Sequence, residues 1–231
     1  MAVSNIFINP VFITQRALYK SIVSLIKNIT FGNEKERWLD VGCGEKPYEH
    51  FFDGVRYVGM EVQEAGSQSP SKKCDLLYDG RCFPVKSGVI EGVICTQVLE
   101  HVPEPVETLL EINRVLKPGG HLLLTAPFLW EEHEEPYDFM RFSSYGLKSL
   151  LERAGFHLVS YHKSSGSVEA MFQMMSVYLS KNLNLRIPGW HPIVNFFICA
   201  PVQLLGYGLQ KLLPDRGGLF LDSVVLAVKE I

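Results

Sequence analysis

The sequence predicts an α/β fold, a mostly parallel sheet with helices on both faces. Three observations carry that expectation. Apolar runs of strand length recur at 36–41, 56–61, 72–77, 89–95 and 120–126. Stretches of helical character lie between them, near 47–53 and 104–117. The first run ends in a glycine turn, Asp40-Val41-Gly42-Cys43-Gly44, and the second ends on an acid, Glu61. Alternation of short strands with helices is the pattern of βαβ units, whose strands must run parallel.

The elements follow in order. Leu18, Ile22, Leu25, Ile26 and Ile29 recur at three- and four-residue spacing, which predicts an amphipathic helix over 11–30. It stands ahead of the first strand, as a cover for the ligand cleft or as a helix packed on one sheet edge. Residues 36–41 then lead into the glycine turn. Glycine supplies the positive φ such turns often need, and it leaves room for a ligand against the backbone. The residues after the turn are expected to open a helix whose free N–H groups face the same space. Glu61 follows Gly44 at close to the offset at which nucleotide-binding α/β folds place a carboxylate on ribose hydroxyls. Pro118-Gly119-Gly120 punctuates the end of the helix at 104–117 and the start of the fifth strand. A further helix over Tyr145–Ala154 leads to a strand near 156–162, and Val224, Val225 and Val228 mark a last strand at 219–229.

The dinucleotide form of this fold is disfavoured. Its G-x-G-x-x-G fingerprint needs a third glycine where Pro47 stands, and proline removes an N–H that a pyrophosphate would use. A nucleoside ligand without phosphate fits better.

Three motifs in sequence give the chain a family likeness. They are Trp38–Gly44 with Glu61; Asp79-Gly80-Arg81-Cys82-Phe83-Pro84 followed by Ile90–Val102; and Glu111–Gly120 with the strand His121–Thr125. Together they resemble the class I S-adenosylmethionine-dependent methyltransferases of the small-molecule and quinone-type branch, over about Arg37 to Phe156. Two positions depart from that family: Ile90-Glu91 stands for the usual Phe-Asp, and Pro47 for a third glycine. The resemblance implies a Rossmann-like three-layer sandwich whose seven-stranded sheet is mostly parallel, with the last strand inserted antiparallel between the fifth and sixth. It implies S-adenosylmethionine as cofactor, with no metal. Asp40 and the backbone of Gly42, Cys43 and Gly44 would hold its methionine end, Glu61 the ribose diol, and Asp79 with Gly80 the adenine. Thr96 and Gln97 would flank the methionine part. Asp75, at the end of the third strand, is read alternatively as structural.

The loop after the fifth strand, 126–143, should overhang the transferred methyl, because ligands in such folds bind beyond the carboxyl ends of strands. It mixes His133, Tyr137, Asp138 and Arg141 with aromatics. The run H-E-x-P-Y-D-F-x-R-F-S is similar to bacterial methyltransferases of surface-glycan and lipid-linked pathways. His133 is the candidate base, since histidine titrates near neutral pH, against the alternative of a solvated loop residue. Tyr137 and Arg141 join it as candidate catalytic residues, with Arg141 either binding an anionic acceptor or pairing with Asp138. His101 either points into the cleft or stabilises the turn into the next helix.

At 231 residues the chain reads as one domain with additions: an N-terminal helical cap at 1–35, a cofactor-binding core at 36–165, an apolar helical insertion at 166–216 and the last strand at 217–231. The net charge of −3 argues against a nucleic-acid partner. Five cysteines without regular spacing argue against a disulfide framework or a zinc site and for a cytoplasmic location. The insertion is the unusual part. Residues 166–182 suit a helix with a Met- and Phe-rich face, and Ile187 to Gln210 contains no charged residue at all. Three roles stay open for it: a lid or homodimer interface, shallow membrane attachment flanked by Lys181, Arg186 and Lys211, or a membrane span. Three prolines and the amides of Asn195 and Gln203 count against the span. The function expected is methyl transfer to a hydroxyl of a small-molecule, sugar or lipid-linked acceptor. The alternatives are a catalytically silent cofactor-binding partner subunit and a nicotinamide-dependent oxidoreductase.

Overall fold

The computed structural model describes residues 5–63, 73–183 and 189–230. The chain forms two compact units. One comprises Ile22–His162 with Ser223–Ile231, and the other Met1–Ser21 with Lys163–Asp222.

The first unit is built on a seven-stranded sheet of order β3-β2-β1-β4-β5-β7-β6. Its strands are β1 (Arg37–Val41), β2 (Arg56–Val62), β3 (Leu76–Tyr78), β4 (Ile90–Thr96), β5 (Leu116–Pro127), β6 (Phe156–Lys163) and β7 (Asp222–Lys229). Strands β1 to β5 pair in parallel, and the last strand enters antiparallel between β5 and β6, as expected. Buried on both faces, β1 and β4 read as nearly continuous apolar runs, which is why they are plain in the sequence. The helices α2 (Pro105–Val115) and α3 (Ser144–Arg153) turn Leu109, Ile112, Leu147 and Leu151 onto this sheet, where they meet Val93, Leu122 and Leu124 in one core. Ser143 caps α3 by accepting the Gly146 N–H at 3.1 Å.

Three elements differ from expectation. The strand expected at 120–126 begins at Leu116, so Pro118-Gly119-Gly120 lie inside β5 and do not separate it from the helix. No α-helix follows the glycine turn; 47–53 holds one 3₁₀ turn, Glu49–Phe51. Lys46 sits at φ +51° with Pro47 after it, and the chain makes only that single turn before β2. The helix-terminus argument for ligand binding therefore does not apply at this turn. The third strand is short and late, Leu76–Tyr78 instead of 72–77, and Lys72 lies outside the described residues. Asp75 is drawn out of it, its carboxylate accepting the Gly59 N–H at 2.7 Å.

The second unit is helical. It contains the start of α1 (Phe12–Ile26), α4 (Ser167–Asn182) and a continuous helical run from Trp190 to Leu212. That run consists of α5 (Trp190–Val194), a π-turn (Asn195–Cys199) and α6 (Ala200–Leu212). Pro201 has no N–H to give, and the Ala200 N–H reaches back five residues to the Asn195 carbonyl. The flanking cation Arg186 lies outside the described residues.

Candidate active site

The site is assembled where β1, β2 and β4 end together. Asp40 pairs in register with Gly59, Val41 with Met60 and with Cys95. The turn at Gly42 and Cys43 is pinned from β2, whose Met60 carbonyl accepts both N–H groups at 2.9 and 3.2 Å. The Gly44 N–H donates to Glu61 Oε1 at 2.5 Å. The acid at the tip of β2 and the glycine turn are thus one structure, which the offset in sequence alone did not reveal.

The two glycines serve different ends. Gly42 has φ +67°, and a Cβ there would stand 2.4 Å from Val98 Cγ2, so its smallness is an internal packing requirement. Gly44 has φ +48° and a Cβ would meet nothing within 4 Å, so the backbone there is open to approach. Gly59 is crowded from the same turn: a methyl on it would stand 2.4 Å from Lys46 Cε and 2.7 Å from Cys43 Sγ. Lys46 crosses to Asp75 at 2.5 Å, making Asp75 a brace for the turn. Cys43 is buried, and that burial raises its thiol to about 12, which removes it as a nucleophile.

Asp40 is buried beneath the turn. Its Oδ2 accepts the Tyr57 hydroxyl at 2.5 Å, while Oδ1 has no hydrogen-bond partner among the described residues. Burial raises this carboxyl to about 7, with the Tyr57 hydrogen bond opposing and Glu61 adding. A buried carboxylate oxygen left without a donor fits a cationic amino group, such as that of an amino-acid ligand.

Asp79 sits on the surface after β3, where Oδ1 accepts the N–H groups of Arg81 and Cys82 at 2.9 and 3.0 Å. Those bonds hold its carboxyl below the usual range and shape the turn that puts Gly80 at φ +81°. Thr96 ends β4 opposite Thr125 of β5. Gln97, at φ +55°, sends both its backbone N–H and its side-chain amide to Thr125 Oγ1, at 3.1 and 3.0 Å. It is a strand-end clamp whose amide is already committed.

The loop after β5 is organised by Arg141. Its guanidinium grips Asp138 with two bonds, at 2.6 and 2.7 Å, and donates to the carbonyls of Trp130, Glu131 and Met140. Its three nitrogens are all engaged inside the loop, so Arg141 is a positioning residue and not the ligand of an anionic acceptor. Asp138 is nearly buried, and Arg141 holds its carboxyl well below the ordinary range. The remaining bonds of Asp138 fix His133, accepting its backbone N–H at 2.9 Å and lying 3.2 Å from Nδ1. With Nδ1 as donor to Asp138 and the Glu131 carbonyl, Nε2 is the nitrogen able to accept a proton. Tyr137 is half-exposed, and its carbonyl accepts from His101 Nδ1 at 2.8 Å.

One association was missed in the sequence. His101 and His133 lie edge to face, ring centroids 4.8 Å apart, with the fully buried Glu100 beside them. Loop backbone ties them: the Phe139 N–H donates to the Glu100 carbonyl at 2.8 Å. The donor atoms of this trio spread to 4.8 Å, wider than a compact transition-metal shell with bonds of about 2.0–2.2 Å. Only the pairing of Asp138 with Arg141, three residues apart, gave a signal in sequence.

A family model described as a methyltransferase domain matches residues 14–161. The chain belongs to that family. S-adenosylmethionine is its cofactor, and the open space beside Gly44 and the lone Oδ1 of Asp40 fit that group. Among similar curated proteins, the human thiol S-methyltransferase TMT1B is 29% identical over 130 residues, covering 51% of each chain. A ubiquinone biosynthesis O-methyltransferase of Marinobacter nauticus is 29% identical over 103 residues, covering 39% of this chain and 43% of the relative. The chain spans about half, or less, of the length of these methyltransferases. A solved structure of a SAM-dependent methyltransferase from Archaeoglobus fulgidus superposes with TM-score 0.56 at 18% identity, covering 91% of this chain and 94% of that one, and shares its fold.

Proposed function

We propose that the protein transfers the methyl group of S-adenosylmethionine to a hydroxyl on a small-molecule, sugar or lipid-linked acceptor. The cofactor supplies an activated methyl on a sulfonium. The chain's task is to hold, align and exclude water, and alignment alone lowers such barriers by several kcal/mol. Glu61, fixed by Gly44, is placed to accept from a vicinal diol, and Asp40 to accept from an ammonium group. His133, held by Asp138, takes the acceptor's proton at Nε2.

The observation that carries the hydroxyl reading is the Asp138–His133 contact, 3.2 Å, on a loop that Arg141 stiffens. An alcohol must shed its proton as it attacks; a thiol, ordinarily near 8.5, needs far less help. The relatives' names include both a thiol and an oxygen methyltransferase, so the base is the discriminating feature. The test is a methylation screen of alcohols, sugars and thiols with wild type and His133→Ala. Loss of rate by roughly 10²–10⁴ with alcohol acceptors supports the assignment. Wild-type activity confined to thiols, equal in the variant, would overturn it.

A further inference from the structure

The helical unit buries its amides and hydroxyls among small and apolar residues and leaves large apolar side chains outside. Asn195, Cys199, Gln203 and Gly206 recur at three- and four-residue spacing along the Trp190–Leu212 helix, and all are buried. Gln173, Ser176 and Ser180 are buried on α4 beside Val168, Ala170 and Val177. The two helices approach closely, since a Cβ at Gly206 would lie 2.4 Å from Phe172 Cβ. Every amide in this interior is engaged. Gln203 takes the Ile13 N–H and gives to the Asn9 carbonyl, at 3.2 and 3.0 Å. Gln173 takes the Thr14 N–H at 3.2 Å and gives to the Pro10 carbonyl at 2.8 Å. Asn195 gives to the Ile8 carbonyl at 3.2 Å and accepts from Ser180 at 3.1 Å.

The opposite sides are apolar and open. Ile193, Phe197, Leu204, Leu205 and Leu212 line the outer side of the long helix, Phe197 being 69% and Leu212 80% exposed. Met171, Met175 and Tyr178 are exposed on α4, and Phe7 packs on Phe196 with ring centroids 5.4 Å apart. A helix of a water-exposed domain turns its apolar stripe inward and its polar side out. The reverse arrangement, with small and hydrogen-bonding residues between helices and hydrocarbon outside, is how helices pack in lipid.

We propose that this unit embeds its outer face in the acyl region of a phospholipid bilayer. Charge agrees with that occupant. No charged residue occurs from Ile187 to Gln210, nor on α4 between Glu169 and Lys181. Lys181 and Lys211 stand at the two ends of this uncharged zone, where cations meet anionic headgroups. The 23-residue helix is about 34 Å long at 1.5 Å per residue, comparable with a hydrocarbon core of about 30 Å. A second copy of the chain is the rival cover, yet a protein interface of such size carries a polar rim with about one hydrogen bond per 100–200 Å², and these side chains offer almost none. The amides that count against membrane contact in the sequence are turned inward and satisfied.

The test is flotation of the full chain with vesicles of mixed phosphatidylcholine and phosphatidylglycerol. Wild type floats, and Leu205→Arg lowers partitioning by roughly a hundredfold, while Leu110→Arg, on the exposed side of α2, leaves it unchanged. Misfolding of the Leu205→Arg protein would mimic that loss, so Phe197→Trp provides an independent reading: the introduced indole is quenched by brominated acyl chains beyond the wild-type background. Protein that stays in the aqueous phase as a monomer or dimer overturns the proposal. So does flotation that Leu205→Arg leaves untouched, or Phe197→Trp emission that bromine does not quench.

Discussion

Alanine at each of the two turn glycines should separate the folding role of this turn from its binding role. At Gly42 the new methyl suffers twice. The left-handed φ of +67° costs about 1–2 kcal/mol for an L-residue. The 2.4 Å approach to Val98 Cγ2 adds an overpacking cost of about 1–3 kcal/mol, so Gly42→Ala loses roughly 2–5 kcal/mol. At Gly44 only the first cost applies, because the methyl meets open space. That open space is where the cofactor would lie against the turn, however, so Gly44→Ala should weaken S-adenosylhomocysteine at least about tenfold, or 1.4 kcal/mol. Urea denaturation gives the stability of each variant, and titration calorimetry gives the affinities. The Gly42→Ala/Val98→Ala double variant should relieve the clash and leave the φ cost. If Gly42→Ala is no less stable than Gly44→Ala, the Val98 contact is misassigned. If Gly44→Ala binds as wild type does, the cofactor lies elsewhere.

Other outcomes follow from the same site. Glu61→Ala should weaken cofactor binding by at least about tenfold, since hydrogen bonds to a charged partner contribute about 1.5–3 kcal/mol each; unchanged calorimetric affinity would remove the ribose role. Asp40 binds its proton more tightly when folded, about 7 against an ordinary 3.8, so its contribution to stability declines as pH rises from about 4 through about 7 and is level above. Asp40→Asn should cancel that decline, which denaturation midpoints at pH 5 and pH 8 would register. Asp138→Asn should cost about 3 kcal/mol by leaving Arg141 without its carboxylate, and lower kcat with alcohol acceptors by loosening His133; a stability change with unchanged kcat would confine Asp138 to structure.

The strands were legible because a parallel sheet buries both faces of each strand: Trp38-Leu39-Asp40-Val41 and Val93-Ile94-Cys95 need no periodicity to be seen. The turn was legible through its glycines, but its continuation was not. Lys46 in a left-handed conformation carries no marker in its own side chain, and the expected helix at 47–53 shrank to a single turn. In the acceptor loop, Asp138 and Arg141 are near neighbours, so their pairing was foreseeable, while the meeting of His101 with His133 depends on how two strand ends are placed. The insertion was the least legible part. Composition along 187–210 counts apolar and amide residues alike, and only the packed helices reveal that Asn195 and Gln203 face inward.

Those inward amides also impose an order in time. They bind Ile8, Asn9, Pro10 and the opening of α1 across 159 to 194 residues of chain. At a synthesis rate of about 5–20 residues per second, that segment leaves the ribosome roughly 10–40 s before its partners exist. Through that interval the Pro10 carbonyl and the Ile13 and Thr14 N–H groups wait for the side chains that engage them in the folded unit. The helical unit consequently closes only after the first five strands of the sheet are made, and β7 completes the sheet later still.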